Sequence, residues 1–330
     1  MKVLGIETSC DETAAAVVED GVRVLGNVIA SQVDLHAKTG GVVPEVAARE
    51  HVLKIVPVLD ECMSLAGCSW DDISAVAVTR GPGLVSSLII GTEAANVISY
   101  VEDKVLVPVQ HVVGHIYANW LEVEEEIECP VLVLTVSGGH NELILMRGHG
   151  DFEVLGETRD DAAGEAFDKV ARILGLGYPG GPAIAEMALK GDGSAYALPR
   201  ILLERDSLDF SFSGLKTAVL SEVKKGEVGK ADLAASFQEA VVEVLAEKIM
   251  RVLKGYDVKE VHLAGGVSAN LRLREVVGER LRGKVKFRFP KKIGYCTDNA
   301  AMIAGAGYFL SELGEYRAKT NVIPTTSFEI

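Results

Sequence analysis

No apolar run in this 330-residue chain reaches the roughly 18–20 residues that a membrane-spanning helix needs. The N-terminus, MKVLGIETSCDET, has no apolar stretch followed by a small-residue cleavage site, so a secretory signal is not expected. These two absences predict a soluble cytoplasmic protein with no membrane attachment. Cysteine is sparse: Cys10, Cys62, Cys68, Cys129 and Cys296 are odd in number and never spaced as CxxC. That argues against a disulfide framework and against a thiolate zinc site. Positive charge is also short, since 33 Lys and Arg against 47 Asp and Glu leave a net charge of −14. Such a chain repels a phosphate backbone on average, so nucleic-acid binding needs a local basic patch or a partner. One patch is present. Arg280, Arg282, Lys284, Lys286, Arg288, Lys291 and Lys292 crowd the segment ERLRGKVKFRFPKK, which reads equally as a solvated strand edge and turn. Three motifs are missing as well. There is no GxxxxGK[ST], no GxGxxG opening a helix after the first strand, and no HExxH, which disfavours a Walker-type loop, a dinucleotide Rossmann site and a zincin protease.

What the chain does have is a repeated grammar. With 48% hydrophobic residues it can fill two cores. The order VLGIE, polar TSCDET, AAAVVED, a turn at Asp20–Gly21 and VRVLGNVIA reads strand, loop, strand, turn, strand. About 130 residues later VLTV, SGGHN, ELILMR, GHGD and FEVLGETR follow the same order. Downstream, PEVAAREHVLKIVPVLDECMSLA has helical spacing and ISAVAVTR reads as a buried strand. In the later copy ADLAASFQEAVVEVLAEKIMRVL places Leu233, Phe237, Val241, Leu245 and Ile249 on one helical face, and KEVHLAG follows as a strand. Each half is therefore β-β-β-α-β-α-β-α, a mixed sheet covered by helices. The expected lobes are residues 1–127 and 128–330, joined by the acidic LEVEEEIEC, with an insertion at about 180–230 in the second. Two such lobes facing each other would make a cleft.

HVVGH, His111 to His115, places two imidazoles on one helical face about 6 Å apart along the axis. CTDNAAMIAGAG holds the same place in the second half, so Asp298 is expected to meet His111 and His115 about a pseudo-twofold axis. Two histidines and one carboxylate leave positions open for a substrate oxygen, as catalytic metal sites do. SGGHN can bring backbone N–H groups close to a ligand, and GYPGGPAI and HLAGGVSAN each precede a helix whose N-terminus favours anions. Asp11 and Glu12 lie in the loop after the first strand, where a carboxylate can bind metal, orient water, accept a proton or merely cap a turn. Asp168, in GEAFDKVARIL, is either a solvated helix residue or an acceptor for ribose hydroxyls.

Together GIETSCDET, HAKTGGVVPEVAAREH, HVVGH, VSGGHNEL, GEAFDKVARILGLGYPGGP, FSFSGLKTAV, LAGGVSAN and CTDNAAMIAGAG resemble the tRNA N6-adenosine threonylcarbamoyltransferase family, in its bacterial form, over about residues 3–312. The family was formerly called O-sialoglycoprotein endopeptidase. The resemblance implies two duplicated ribonuclease-H-like lobes, the fold of actin, heat-shock chaperone ATPases and sugar kinases. It implies that His111, His115 and Asp298 hold one divalent metal, usually iron, with zinc or magnesium as alternatives. Val136, Ser137, Gly138, Gly139 and His140 match the substrate loop, and Asp168, Gly181 and Asn270 match contacts to the adenosine and phosphate of the donor. Asp11 matches an acid needed for activity, with Glu12 beside it. Many relatives have an acid where Ala185 stands here, next to Glu186, which puts one ribose contact in doubt. The implied reaction transfers threonylcarbamoyl from threonylcarbamoyl-AMP to N6 of the adenine beside the anticodon in tRNAs reading codons that begin with A. The implied partners are tRNA, a degenerate paralogue docking on N-terminal helices, a small ATPase and a separate threonylcarbamoyl-AMP synthase. The rival readings are a small-molecule kinase of the same superfamily and a nucleotide-gated scaffold. Neither needs two helical imidazoles.

Overall fold

Apolar strands with both faces covered alternate with helices in an order that occurs twice, and a computed structural model shows both occurrences. It describes all residues except 203, 205, 227, 315, 316, 318–320 and 327–330. The chain divides into two units: Met1–Ile127 with His149–Asp151 and Pro290–Ile330, and Glu128–Gly148 with Phe152–Phe289.

The first unit is built on β1 (Lys2–Glu7), β2 (Glu12–Glu19), β3 (Arg23–Ser31), β4 (Ala75–Gly81) and β5 (Val105–Gln110). They lie in the order β3-β2-β1-β4-β5; β1 to β3 are antiparallel, and β4 and β5 run parallel to β1. Between them come α1 (Val33–Ala37), α2 (Pro44–Ala66), α3 (Val85–Val101) and α4 (His111–Tyr117). Pro44 at the start of α2 and Gly67 at φ 61 after its end are the residues that open and close a helix at least cost. Leu4, Ile6, Ala15, Val17, Val76 and Val78 on one sheet face pack with Ile55, Leu59 and Cys62 of α2 and with Ala95 of α3.

The second unit repeats the plan with β6 (Val131–Val136), β7 (Asn141–Gly148), β8 (Asp151–Glu157), β9 (Glu260–Ala264) and β10 (Lys286–Arg288) in the order β10-β9-β6-β7-β8. Its helices are α5 (Ala163–Leu174), α6 (Gly180–Ala188), α7 (Ser213–Lys224), α8 (Lys230–Val252) and α9 (Leu271–Leu281). Leu233, Phe237, Val241, Leu245 and Ile249 of α8 are all buried, as their spacing predicts. The segment at about 180–230 contributes α6 and α7, and Phe210 and Phe212 of its aromatic run are buried in this core. The duplicated mixed sheets read from the sequence are present, strand for strand.

The last helix, α10 (Ala300–Glu312), falls differently from the sequence division at residue 128. It packs in the first unit, on β1, β2 and β4 and against α4. The reason is steric. A Cβ on Gly5 would lie 2.3 Å from the Ala300 carbonyl oxygen, and one on Gly307 would lie 2.3 Å from the Ala77 Cβ. Only glycine at these two points lets helix and sheet approach so closely, and the alanine-rich face of α10 completes the fit. The meeting of HVVGH with CTDNAAMIAGAG is thus contact between two helices of one unit. Among the described residues no helix is long and apolar enough to cross a membrane.

Candidate functional site

Helix α4 opens at once after β5, with the Gln110 side chain accepting the Val113 N–H at 3.1 Å as its cap. His111 and His115 stand one turn apart, their ring centroids 4.7 Å apart and their planes at 82°. Asp298 precedes Asn299, whose side chain caps α10 through the Met302 N–H. Asp298 Oδ1 is 3.5 Å from His111 Nε2 and 3.2 Å from His115 Nε2. All three donor atoms lie within 4.8 Å of one another. Two ligands bound at about 2.1 Å to a common cation stand about 3–3.5 Å apart, so this spacing fits a metal.

The hydrogen bonding agrees with that fit. Both ring nitrogens of His115 are buried and make no hydrogen bond among the described residues, although Asp298 is within reach of one of them. Leaving a buried donor or acceptor unsatisfied costs about 1–3 kcal/mol, which a ligand taking the Nε2 lone pair removes. His111 is held from behind. Its Nδ1 lies 3.1 Å from Glu7 Oε2 and 3.2 Å from Ser9 Oγ. Glu7 is fully buried, and its carboxylate also accepts from Thr79 Oγ1 at 2.6 Å and from the Ser9 N–H. Burial opposes ionisation of Glu7, but the His111 ring outweighs it and holds the carboxyl below its ordinary range. A carboxylate only accepts, so we assign the proton to Nδ1, leaving Nε2 of His111 to face Asp298 with a lone pair.

Asp11 lies in the turn after β1, while Glu12 is the first residue of β2. Burial, then the charge of Asp298, pushes the Asp11 carboxyl up. Burial pushes Glu12 to about 7 against the hydrogen bond from Ser31, and Asp11, Asp298 and Glu7 add repulsion. Ser31 Oγ donates to Glu12 Oε1 at 2.8 Å, whereas Oε2 is buried without a hydrogen bond among the described residues.

In the second unit the corner after β6 is a tight turn. The Ser137 N–H donates to the His140 carbonyl at 2.8 Å, and the His140 N–H to Ser137 Oγ at 3.2 Å. Val136 before it is buried, and Gly138 and Gly139 face open space. Asp168 Oδ1 accepts the Gly180 N–H at 2.7 Å, at the N-terminus of α6, and burial raises its carboxyl against that bond. Gly180 is forced, since a Cβ there would sit 2.5 Å from Asp168 Cα, but at Gly181 a Cβ meets nothing within 4 Å. Asn270 caps α9 through the Leu273 N–H and donates to Gln238 Oε1 at 2.8 Å. Gln238, Leu271, Arg272, Ala188, Gly191 and Gly193 help line a cavity of about 430 Å³. Glu186, beside Ala185, is exposed and pairs with Lys190 at 3.7 Å.

The basic segment is largely spent on ion pairs. Arg288 pairs with Glu260, Lys286 with Glu128 and Glu260, Arg280 with Glu247, and Lys292 with Glu122. Glu7, Ser9 and Thr79 escaped the sequence reading. A lone acid ending the apolar run KVLGIE was the available signal.

The sequence model of the tRNA N6-adenosine threonylcarbamoyltransferase family matches residues 23–305. The chain belongs to this family. A tRNA N6-adenosine threonylcarbamoyltransferase of Thermomicrobium roseum is 53% identical over 345 residues, covering 95% of this chain and 93% of the relative. The fold is shared more widely. The crystal structure of T. kodakarensis HypF matches with a TM-score of 0.66 at 16% identity, over 98% of this chain and 49% of that one. A ROK family glucokinase from Streptomyces griseus matches with a TM-score of 0.50 at 13% identity, over 93% of this chain and 98% of that one. The family assignment makes this chain a transferase that forms N6-threonylcarbamoyladenosine in tRNA, on a fold of two mixed α/β sheets that HypF and the ROK family glucokinase share. The kinase and scaffold readings are not favoured. The family is metal-dependent, and His111, His115 and Asp298 form the candidate ligand group among the described residues.

Proposed function

We propose that this cytoplasmic enzyme takes threonylcarbamoyl from threonylcarbamoyl-AMP and places it on N6 of the adenine 3′ of the anticodon, in tRNAs reading codons that begin with A. The observation that carries the proposal is the convergence of His111 Nε2, His115 Nε2 and Asp298 Oδ1, with Glu7 setting the His111 tautomer. Two imidazoles and one carboxylate suit ferrous iron, with zinc or magnesium as the alternatives. A divalent cation there supplies Lewis-acid polarisation of the donor's carbonyl.

The rest falls to the chain's own groups. The N6 lone pair forms a bond to the carbamoyl carbon, the carbon–oxygen bond of the mixed anhydride breaks, and AMP leaves with its electron pair. Asp11, in the turn after β1, or Glu12 beside it, takes the proton from N6. Backbone N–H groups of Gly138 and Gly139, in the turn that Ser137 and His140 close, and of Gly181 on the α6 N-terminus hold the phosphate, and Val136 buttresses that corner. Asp168 fixes the Gly180–Gly181 corner, and Asn270 orients Gln238 over a cavity whose volume suits a nucleoside.

Val52, Leu53 and Val56 of α2 and Val97, Tyr100 and Val101 of α3 are exposed apolar side chains, as a docking paralogue would require. A small ATPase and a separate synthase complete the proposed set of partners. The test is a transfer assay with threonylcarbamoyl-AMP and unmodified tRNA, with and without those partner proteins. One AMP released per modified adenosine is expected. ADP release from ATP with a small polyol, and no modified tRNA, would replace this reading with a kinase.

A further inference from the structure

Asp11 and Glu12 repel each other and Asp298, so something must hold the backbone that carries them. One side chain reaches both flanks of the pair. His51 on α2 is fully buried, with Nε2 3.0 Å from the Cys10 carbonyl oxygen and Nδ1 2.8 Å from Thr13 Oγ1. A carbonyl only accepts, so the Nε2 position carries hydrogen. In the neutral ring Nδ1 then keeps its lone pair and accepts the Thr13 hydroxyl. Burial, which pushes the His51 pKa down, favours that neutral form.

We propose that His51 is a positioning residue for the transfer: it clamps Cys10 and Thr13 so that the carboxylates between them stay fixed where the substrate amine is deprotonated. His51 itself moves no proton. The inference rests on the reading of Asp11 and Glu12 as proton acceptors. Both ring nitrogens of this buried side chain find their partners within one four-residue segment, so the ring ties α2 to the stretch that carries the two carboxylates.

The experiment is steady-state kinetics of the full chain with its partner proteins, for His51→Leu, His51→Gln and Thr13→Val. Glutamine can offer an N–H and an oxygen over a similar reach, whereas leucine offers neither. A displacement of about 1 Å in a reacting group can cost about 100-fold, so His51→Leu is expected to lose about 30- to 100-fold in kcat. The KM values for donor and tRNA, and the metal content, should stay within about twofold in the same variant. His51→Gln should recover most of kcat, and Thr13→Val, which keeps the side-chain volume, should lose about 3- to 10-fold. Should His51→Leu fail to fold, Thr13→Val carries the test. Unchanged kcat in folded His51→Leu or in Thr13→Val, or His51→Gln no better than leucine, overturns the clamp. Nitrogen-15 NMR of the His51 ring reads the tautomer independently of activity, and a proton on Nδ1 also overturns it. Wild-type kcat in both Asp11→Asn and Glu12→Gln sinks the acid assignment instead, and the proposed purpose of the clamp with it.

Discussion

After β1 the chain turns through Thr8–Asp11 beside a buried carboxylate and two imidazoles; after β6 the equivalent turn, Ser137–His140, is built from serine and glycine. The strand order and strand sense around the two corners are the same. The difference lies in what each corner can attract. Carboxylates and imidazole lone pairs gather a cation, while exposed backbone N–H groups beside side-chain-free glycines gather an anion. One duplicated frame thus carries two different chemistries, one in each unit.

The comparison breaks most sharply at the first corner's histidines. His111→Ala should lower turnover by about 1,000-fold, the scale of losing an electrophilic contact, while thermal unfolding shows the fold retained. Normal turnover in that variant would leave the first corner without its assigned chemistry. Next in size is Glu12→Gln, expected to cut kcat by about 100-fold as a lost proton acceptor does. The same variant sharpens the electrostatics. Glu12 sits at about 7 in the folded protein against an ordinary 4.5, so the folded state binds the extra proton between those values. Its contribution to stability is therefore present at low pH and lost as pH rises through 7. In metal-free protein Glu12→Gln should be more stable than wild type at pH 8 by about 1–2 kcal/mol and within about 0.5 kcal/mol of it at pH 5, as denaturant melts at the two pH values would show. Greater stability at pH 5 alone would reverse the sign.

At the second corner effects should be smaller and confined to binding. A Cβ at Gly139 meets nothing within 4 Å, so Gly139→Ala should leave unfolding unchanged within about 0.5 kcal/mol. It should raise the donor KM about tenfold by keeping the phosphate off the backbone, and an unchanged KM would remove the corner from the donor site. The smallest change is expected at the basic segment. Its neighbours being committed to Glu260, Glu128, Glu247 and Glu122, Lys284→Glu should weaken tRNA binding by less than about threefold. A tenfold loss in a filter-binding assay would restore that patch as a tRNA surface.

Much of this frame was legible in the sequence because it rests on period. Apolar runs bounded by the polar loop and the Asp20–Gly21 turn mark β2 and β3, the spacing of Leu233 to Ile249 marks α8, and i, i+4 spacing marks the face carrying His111 and His115. For Glu7 the lone acid ending KVLGIE was the one signal, and it could not show the partners Ser9, Thr79 and His111, two of which are distant in sequence. The membership of α10 was hidden for another reason. Chain order points to the second copy, whereas the contacts of Gly5 and Gly307 that draw it onto the first sheet are long-range. Asp168 and Asn270 were read as ligand contacts, and the structure shows each engaged by the backbone of its own corner, at the Gly180 N–H and the Leu273 N–H.

The account stands or falls with the cation at the first corner. Metal analysis of the anaerobically purified chain and of its Asp298→Ala variant tests this directly. About one equivalent of divalent metal in the wild type, and less than about a tenth in the variant, is the predicted result. A fully active wild type without bound metal, or an Asp298→Ala protein that keeps its full equivalent, would contradict it.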